Sequence, residues 1–242
     1  MRYFLRKLYE NSVIRACVKW IFPERAKVAL VKYININDRV NLEATNLNKI
    51  KRQNWYQALK PGAIYIDCGM NLGQVAQLFV EKGAIVYGFE PNPKCIAELQ
   101  KKFGSNPNVH LYQKGVLDKP LNTKLYLESY GKYDVFFSEE SSIYNVRKCF
   151  KGDAIDIECI DLCAFIEELQ TEVDVLKLDI EGAEYPVVTK LIESGVFKKI
   201  KHIVCGSHAY CTPGVFDEQD AKLRALIREK GITSIELDFL NY

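Results

Sequence analysis

The chain has 242 residues, of which 48% are hydrophobic and 26% charged, and it carries a net charge of +2. This length suits one α/β domain with an appendage, and this composition excludes a disordered or membrane-spanning class. A charge so near neutrality offers no global field for nucleic acid, and no window of roughly eighteen residues is continuously apolar, as a spanning helix would require.

Residues 1–60 read as a mainly helical, basic segment, broken near Pro23 and closed by Pro61-Gly62, ahead of a domain over 61–242. Within residues 1–32, Arg2, Arg6, Lys7, Arg15, Lys19, Arg25, Lys27 and Lys32 oppose Glu10 and Glu24. That is eight minus two, a local +6, and since the whole chain is +2 the remainder is −4. Leu5, Tyr9, Val13, Ala16 and Trp20 share one helical face, with Lys7, Asn11, Arg15 and Lys19 on another. Two arrangements fit: peripheral contact of residues 1–22 with an anionic membrane or a partner, or a packing helix with solvated charges. The charges interrupt the apolar stretches too often for a signal peptide. The eight cysteines form no C-x-x-C, and the histidines at 110, 202 and 208 stand apart from any zinc-finger spacing. A chain this large needs no disulfide framework, so the cysteines point to a reducing, cytoplasmic setting.

From residue 63 the pattern alternates strand and helix, as in a parallel sheet covered on both faces. Ala63-Ile64-Tyr65-Ile66 is a short β-branched strand ending at Asp67, and a helix is expected over 74–82 with Gly83 as its stop. A second strand, Ala84 to Phe89, ends at Glu90. Asn92 caps the next helix, with Pro93 at its first position, the stripe Ile96, Leu99, Phe103, and Gly104 as its close. Val109 to Leu117 reads as the third strand. Residues 121–160 break the rhythm, with strands expected at 124–128, 133–137 and 154–160 in an insertion or hairpin region near the site. Asp161 caps a short helix through Leu169. A strand over 173–178 ends at Asp179, and the helix after it runs to Gly195 with Pro186 in its first turn. Strand 202–205 leads to Gly206-Ser207-His208. Asp217 is expected to cap a helix through Lys230, and 232–239 to form a last strand.

The run Asp67-Cys68-Gly69-Met70-Asn71-Leu72-Gly73 turns from strand to helix, and Glu90 ends the following strand. Glycines there let backbone approach a ligand, and a second-strand acid accepts from ribose hydroxyls, so the pattern suits a nucleoside-like cofactor. A dinucleotide site wants G-x-G-x-x-G with a pyrophosphate on the helix N-terminus. Here Asn71 and Gln74 depart from that pattern, and Asp67 would repel a pyrophosphate, so a nicotinamide oxidoreductase is disfavoured. A cationic ligand fits better, and S-adenosylmethionine carries a sulfonium, an ammonium and a ribose.

In an open α/β sheet ligands bind beyond the carboxyl ends of the strands. Asp67, Glu90 and Asp179 stand at such ends, with Glu181 and His208 in adjoining loops. Each acid could be a helix cap; together with the cofactor turn they read as a catalytic cluster.

The segments Tyr65–Gly73, Gly88-Phe89-Glu90-Pro91-Asn92-Pro93 and Leu176-Lys177-Leu178-Asp179-Ile180-Glu181-Gly182-Ala183-Glu184 resemble the FkbM family of S-adenosylmethionine-dependent methyltransferases. The resemblance spans roughly residues 63–210, and the K-x-D-x-E-G-x-E run is its most specific mark. It implies a class I, Rossmann-like fold and O-methylation, often of a sugar hydroxyl in a glycan, glycolipid or secondary metabolite. It implies further that Asp67, Gly69, Asn71 and Gly73 line the methionine end of the cofactor. Glu90 would hold the ribose, Pro91 and Asn92 would lie near the adenine, and Asp179 would face the reacting methyl. One departure stands out: relatives commonly carry an acid two residues before the histidine, where this chain has Gly206. Deprotonation of the acceptor falls to His208 as base, to Asp179 or Glu181, or to a divalent metal held by the two acids. Ser141, Ser142, Tyr144 and Asn145 either contact a sugar acceptor or form a polar loop. An inactive cofactor-binding module, recruited through residues 1–22, is the alternative from a different class.

Overall fold

Central strands that read as near-continuous apolar runs require cover on both faces, and the sheet has it. The structure, a computed structural model, describes residues 26, 29–30, 43–128, 138, 141–146, 150–209 and 212–240. The amphipathic stretch expected over 1–22, the break near Pro23 and the strand expected over 133–137 lie outside the described residues.

Helices α1 (43–51) and α2 (Asn54–Gln57) precede β1 (Ile64–Cys68), α3 (Gln74–Glu81), β2 (Ile85–Phe89), α4 (Pro93–Phe103) and β3 (Val109–Tyr112). Strands β4 (Gly115–Leu117), β5 (Leu121–Glu128) and β6 (Phe150–Asp161) follow, then α5 (Leu162–Glu168). The chain continues through β7 (Val173–Leu178), α6 (Glu184–Ser194), β8 (Ile200–Cys205), α7 (Asp217–Glu229) and β9 (Ile235–Glu236). The main sheet runs β3-β2-β1-β7-β8-β9 with every pair parallel. This is a Rossmann-like α/β architecture whose strand order reverses between β1 and β7.

The period of two along each strand sorts the core into two layers. Ile64, Ile66, Leu176, Leu178 and Ile203 pack with Leu162, Ile166, Val188, Leu191 and Leu223, so α5, α6 and α7 cover that face. Tyr65, Val86, Val175 and Val204 pack with Ala76, Leu78, Phe79, Leu99 and Phe103, so α3 and α4 cover the other. Each such aliphatic or aromatic side chain contributes about 1.5–3 kcal/mol on burial. Tyr65 and Phe79 stack at 3.6 Å between ring centroids, pinning α3 to β1. Among the described residues no helix is long and apolar enough to cross a membrane.

Local signals held where the chemistry was local. The Asn92 side chain accepts from Lys94 N, and that of Asp161 from Cys163 N and Ala164 N, as expected of caps. Three expectations differ from the structure. The run 109–117 divides: β3 stays in the main sheet, while Gly115, Val116 and Leu117 pair with Cys159, Ile160 and Asp161 in a second sheet, β4-β6-β5. β3 stays only partly buried at the end of the main sheet, whereas all three residues of β4 are buried, and Gln113-Lys114 mark the division. The expected strand 232–239 shrinks to Ile235–Glu236, since Phe239 and Leu240 curl over to donate to Cys205 O. Asp217 is the first helical residue of α7 rather than its cap; its carboxylate accepts from Gly214 N instead.

Candidate active site

Cys68, Phe89, Leu178 and Cys205 stand in register across β1, β2, β7 and β8. The residues that follow them, Gly69, Glu90, Asp179 and Gly206, therefore form one row along the carboxyl edge. Ladder bonds persist into it: Gly69 N donates to Phe89 O at 3.0 Å, Asp179 N to Cys68 O at 3.1 Å and Gly206 N to Leu178 O at 2.9 Å. The row crosses the β1/β7 switch point, where helices leave to opposite faces and open a crevice.

Gly69, Asn71 and Gly73 all take left-handed backbone, at φ of 77°, 49° and 71°. A Cβ on Gly69 would lie 2.0 Å from the Asp179 carbonyl oxygen, so the first glycine is required by contact between the two turns as well as by its dihedral. Glu90 ties the turn to the next loop, its Oε2 accepting from Asn71 N and its Oε1 from Asn92 N, both at 2.9 Å. Burial pushes the Glu90 carboxyl up to about 7, against the pull of those two backbone donors. Asn92 is spent on capping α4, and Pro91 sits partly exposed at the corner before it. The Asn71 Nδ2 donates to Ser138 Oγ at 3.1 Å, while its Oδ1 is buried with no hydrogen-bond partner among the described residues.

Asp67 is fully buried, and it does not present a bare carboxylate. Directly across the ladder, Lys177 places its ammonium 3.1 Å from Asp67 Oδ1 and 3.8 Å from Asp179 Oδ2, and donates to Gly69 O at 2.6 Å. Burial raises the Asp67 pKa, with Lys177 working against that rise. Lys177 itself pays a desolvation cost that Asp67 and Asp179 more than offset, so its pKa is raised. Much of the Asp67 charge that the sequence offered to a cationic ligand is thus neutralised internally by Lys177. Sequence reasoning assigned Lys177 no role; an isolated cation in an apolar strand buried on both faces was the available signal.

One strand further, Asp179, Glu181 and His208 converge as the sequence implied. His208 Nε2 lies 3.5 Å from Asp179 Oδ1 and 3.4 Å from Glu181 Oε1, and the three donor atoms lie within 4.8 Å of one another. Glu184, unassigned from sequence, is 1% exposed and holds His208 Nδ1 at 2.8 Å, its other oxygen accepting from Gly182 N. Desolvation would lower the His208 pKa, but Glu181 and Glu184 outweigh it and hold the imidazole well above its usual value. An acid thus orients the histidine from the first turn of α6, while Gly206, two residues before His208, offers no side chain. Glu181 adopts left-handed backbone at φ 58°, with its carbonyl bound by Ser142 Oγ at 2.7 Å. The segment around Ser138 and Ser142 thus fastens both turns, one serine to each. Ser142 is buried in that role, Ser141 Oγ accepts from Glu128 N at 3.4 Å, Tyr144 packs edge-on to Phe216, and Asn145 is exposed.

The profile of the methyltransferase FkbM domain matches residues 67–231, about two thirds of the chain. The protein belongs to the FkbM methyltransferase family. It is a methyltransferase whose donor is S-adenosylmethionine. No curated protein matches it. Among solved structures it is similar to a precorrin-6y C5,15-methyltransferase from Geobacter metallireducens at 14% identity, TM-score 0.37, over 78% of this chain and 69% of that one. It is similar also to the METTL16 methyltransferase domain (13%, TM-score 0.41, 81% of this chain and 59% of that). A third is the magnesium protoporphyrin IX methyltransferase of Synechocystis PCC 6803 with bound S-adenosylmethionine (11%, 0.34, 79% and 70%). The residues present suit that donor: a left-handed turn at Gly69, Asn71 and Gly73, a ribose-type acid, and the buried Asn71 Oδ1 with no hydrogen-bond partner among the described residues.

Proposed function

We propose that the protein is an O-methyltransferase acting on a sugar hydroxyl of a glycan, glycolipid or secondary metabolite. The observation that carries this reading is the strand-end row, which sets a carboxylate and imidazole cluster one strand from the cofactor turn. Asn71 and the backbone of the 67–73 turn hold the methionine end, Glu90 accepts from the ribose hydroxyls, and Pro91 and Asn92 border the adenine. The donor supplies a methyl carbon activated by its sulfonium. The acceptor oxygen bonds to that carbon as the carbon–sulfur bond breaks and the electron pair stays on sulfur. The hydroxyl proton leaves to an oxygen of Asp179 or Glu181; His208, held in its charged form by Glu181 and Glu184, is not the base that the sequence offered. In-line alignment, enforced by the rigid row, supplies much of the rate.

The cluster suits an alcohol because a hydroxyl attacks poorly until its proton is taken during bond formation. The test is transfer of isotopically labelled methyl from S-adenosylmethionine to a panel of polysaccharides, glycolipids and free glycosides. Products heavier by one CH2 at a sugar oxygen support the reading; labelling confined to nitrogen or carbon acceptors overturns it. A cytoplasmic setting with peripheral membrane contact through residues 1–22 belongs to the same proposal. Co-sedimentation with anionic vesicles, lost on deleting residues 1–22, would bear on it directly.

A further inference from the structure

We infer that Asp179, Glu181 and His208 form a binding site for one divalent metal ion, with Glu184 positioning His208. The inference deepens the methyltransferase reading, and rests on it for what the ion does though not for its binding.

Four observations carry it. The first is distance. A histidine in a plain charge-assisted pair sits about 2.7–2.9 Å from its carboxylate, as His208 Nδ1 does from Glu184 at 2.8 Å. Its Nε2 stands off from Asp179 and Glu181 at 3.5 and 3.4 Å. Donors about 2.0–2.1 Å from a shared ion are separated by about 3.0 Å at octahedral and 3.4 Å at tetrahedral angles. The wider pair of contacts therefore matches ligands arranged around a common centre.

The second is the histidine's far side. A ligating imidazole almost always gives its other ring nitrogen to a carboxylate that fixes its tautomer and orientation. Glu184 does this from a buried position anchored by Gly182 N. The third is space. Gly206 has ordinary backbone, yet a Cβ on it would lie 2.8 Å from Asp179 Oδ1 and 3.4 Å from His208 Cε1. Only a residue without a side chain lets this turn approach Asp179 and His208 so closely. The fourth is access: His208 is buried, while Asp179 and Glu181 each keep about an eighth of their side-chain surface in solvent. Three protein ligands with one open side is the pattern of a reactive metal site rather than a structural one.

Two carboxylate oxygens and an imidazole favour Mn²⁺ or Zn²⁺ over Ca²⁺, which wants more oxygens. Such an ion would contribute Lewis acidity toward an acceptor hydroxyl entering from the open side. The full chain, stripped with chelator and free of S-adenosylmethionine, is titrated with Mn²⁺ and followed by electron paramagnetic resonance. Expected is one ion per chain, with affinity falling about 100-fold in Asp179→Asn and about 10–100-fold in Glu184→Gln, each with a wild-type circular dichroism spectrum. If Asp179→Asn fails to fold, the partly exposed Glu181→Gln gives the same readout. Equal Mn²⁺ affinity in wild-type and folded variants overturns the site, as does absence of binding by wild type to both Mn²⁺ and Zn²⁺. Calorimetric S-adenosylmethionine binding in chelator separates the two ideas: its loss would sink the methyltransferase reading and leave the metal result standing.

Discussion

Lys177→Met tests whether the buried cation under the cofactor turn does what its contacts imply. The ammonium faces Asp67 at 3.1 Å and donates to Gly69 O at 2.6 Å, with both partners in the dry interior of the β1/β7 contact. Asp179, partly exposed, can recover hydration on losing this neighbour; Asp67, fully buried, cannot. Removing one partner of such a pair costs about 3–5 kcal/mol. For a chain of this size that lowers the melting temperature by about 6–20 °C. The stranded Asp67 answers by taking up a proton, since burial already raises its pKa and the opposing cation is gone. A raised acid in the folded state binds a proton that the unfolded state releases, so stability falls as pH rises through that window. The penalty of Lys177→Met should therefore grow by up to about 1.4 kcal/mol per pH unit until the folded-state pKa is passed. Urea unfolding of wild type and variant between pH 5 and 8 measures this. Asp67→Leu/Lys177→Met, which removes both charges, should regain most of the stability while binding S-adenosylmethionine poorly. A single-variant loss below about 1 kcal/mol, flat with pH, or a double variant no more stable than the single, refutes the reasoning.

Three further outcomes follow from the row. With its carboxyl held up to about 7, Glu90 must ionise to accept from a ribose, so S-adenosylmethionine should bind about tenfold more weakly at pH 6 than at pH 8, with proton release in calorimetry; Glu90→Gln should bind weakly and lose the pH dependence. Gly69→Ala drives a Cβ into the Asp179 carbonyl and should destabilise by more than about 3 kcal/mol, read by urea denaturation. Gly206→Ala puts a Cβ 2.8 Å from Asp179 Oδ1, 3.2 Å from Leu240 O and 3.4 Å from His208 Cε1, so methyl transfer should drop at least about tenfold while donor affinity stays within about twofold.

The strand-to-helix rhythm was legible in sequence because it rests on local rules: β-branched runs, the Asn92 and Asp161 caps, Pro93 at a helix start, glycines at left-handed positions. So were Glu90 and the Asp179, Glu181, His208 set, since strand-end acids in an open α/β sheet have one place to go. The division of 109–117 between two sheets was not legible, because an apolar strand looks the same whichever neighbour it pairs with. The same blindness hid the partners of charge. From sequence, Asp67 was a carboxylate at a turn awaiting a cation from a ligand. Its cation is Lys177, more than a hundred residues away and opposite it on the ladder, a match set by sheet register alone. Glu184 likewise stood in the sequence only as the last acid of the K-x-D-x-E-G-x-E run, and became the orienting partner of His208 only when β8 brought that histidine over the start of α6. The sequence by itself determined the order of elements and which strand ends carry acids, because propensity, capping and alternation act over a few residues. The tertiary structure decided which of those acids are neutralised and which remain open to a ligand, because burial and pairing are properties of neighbours brought together from across the chain.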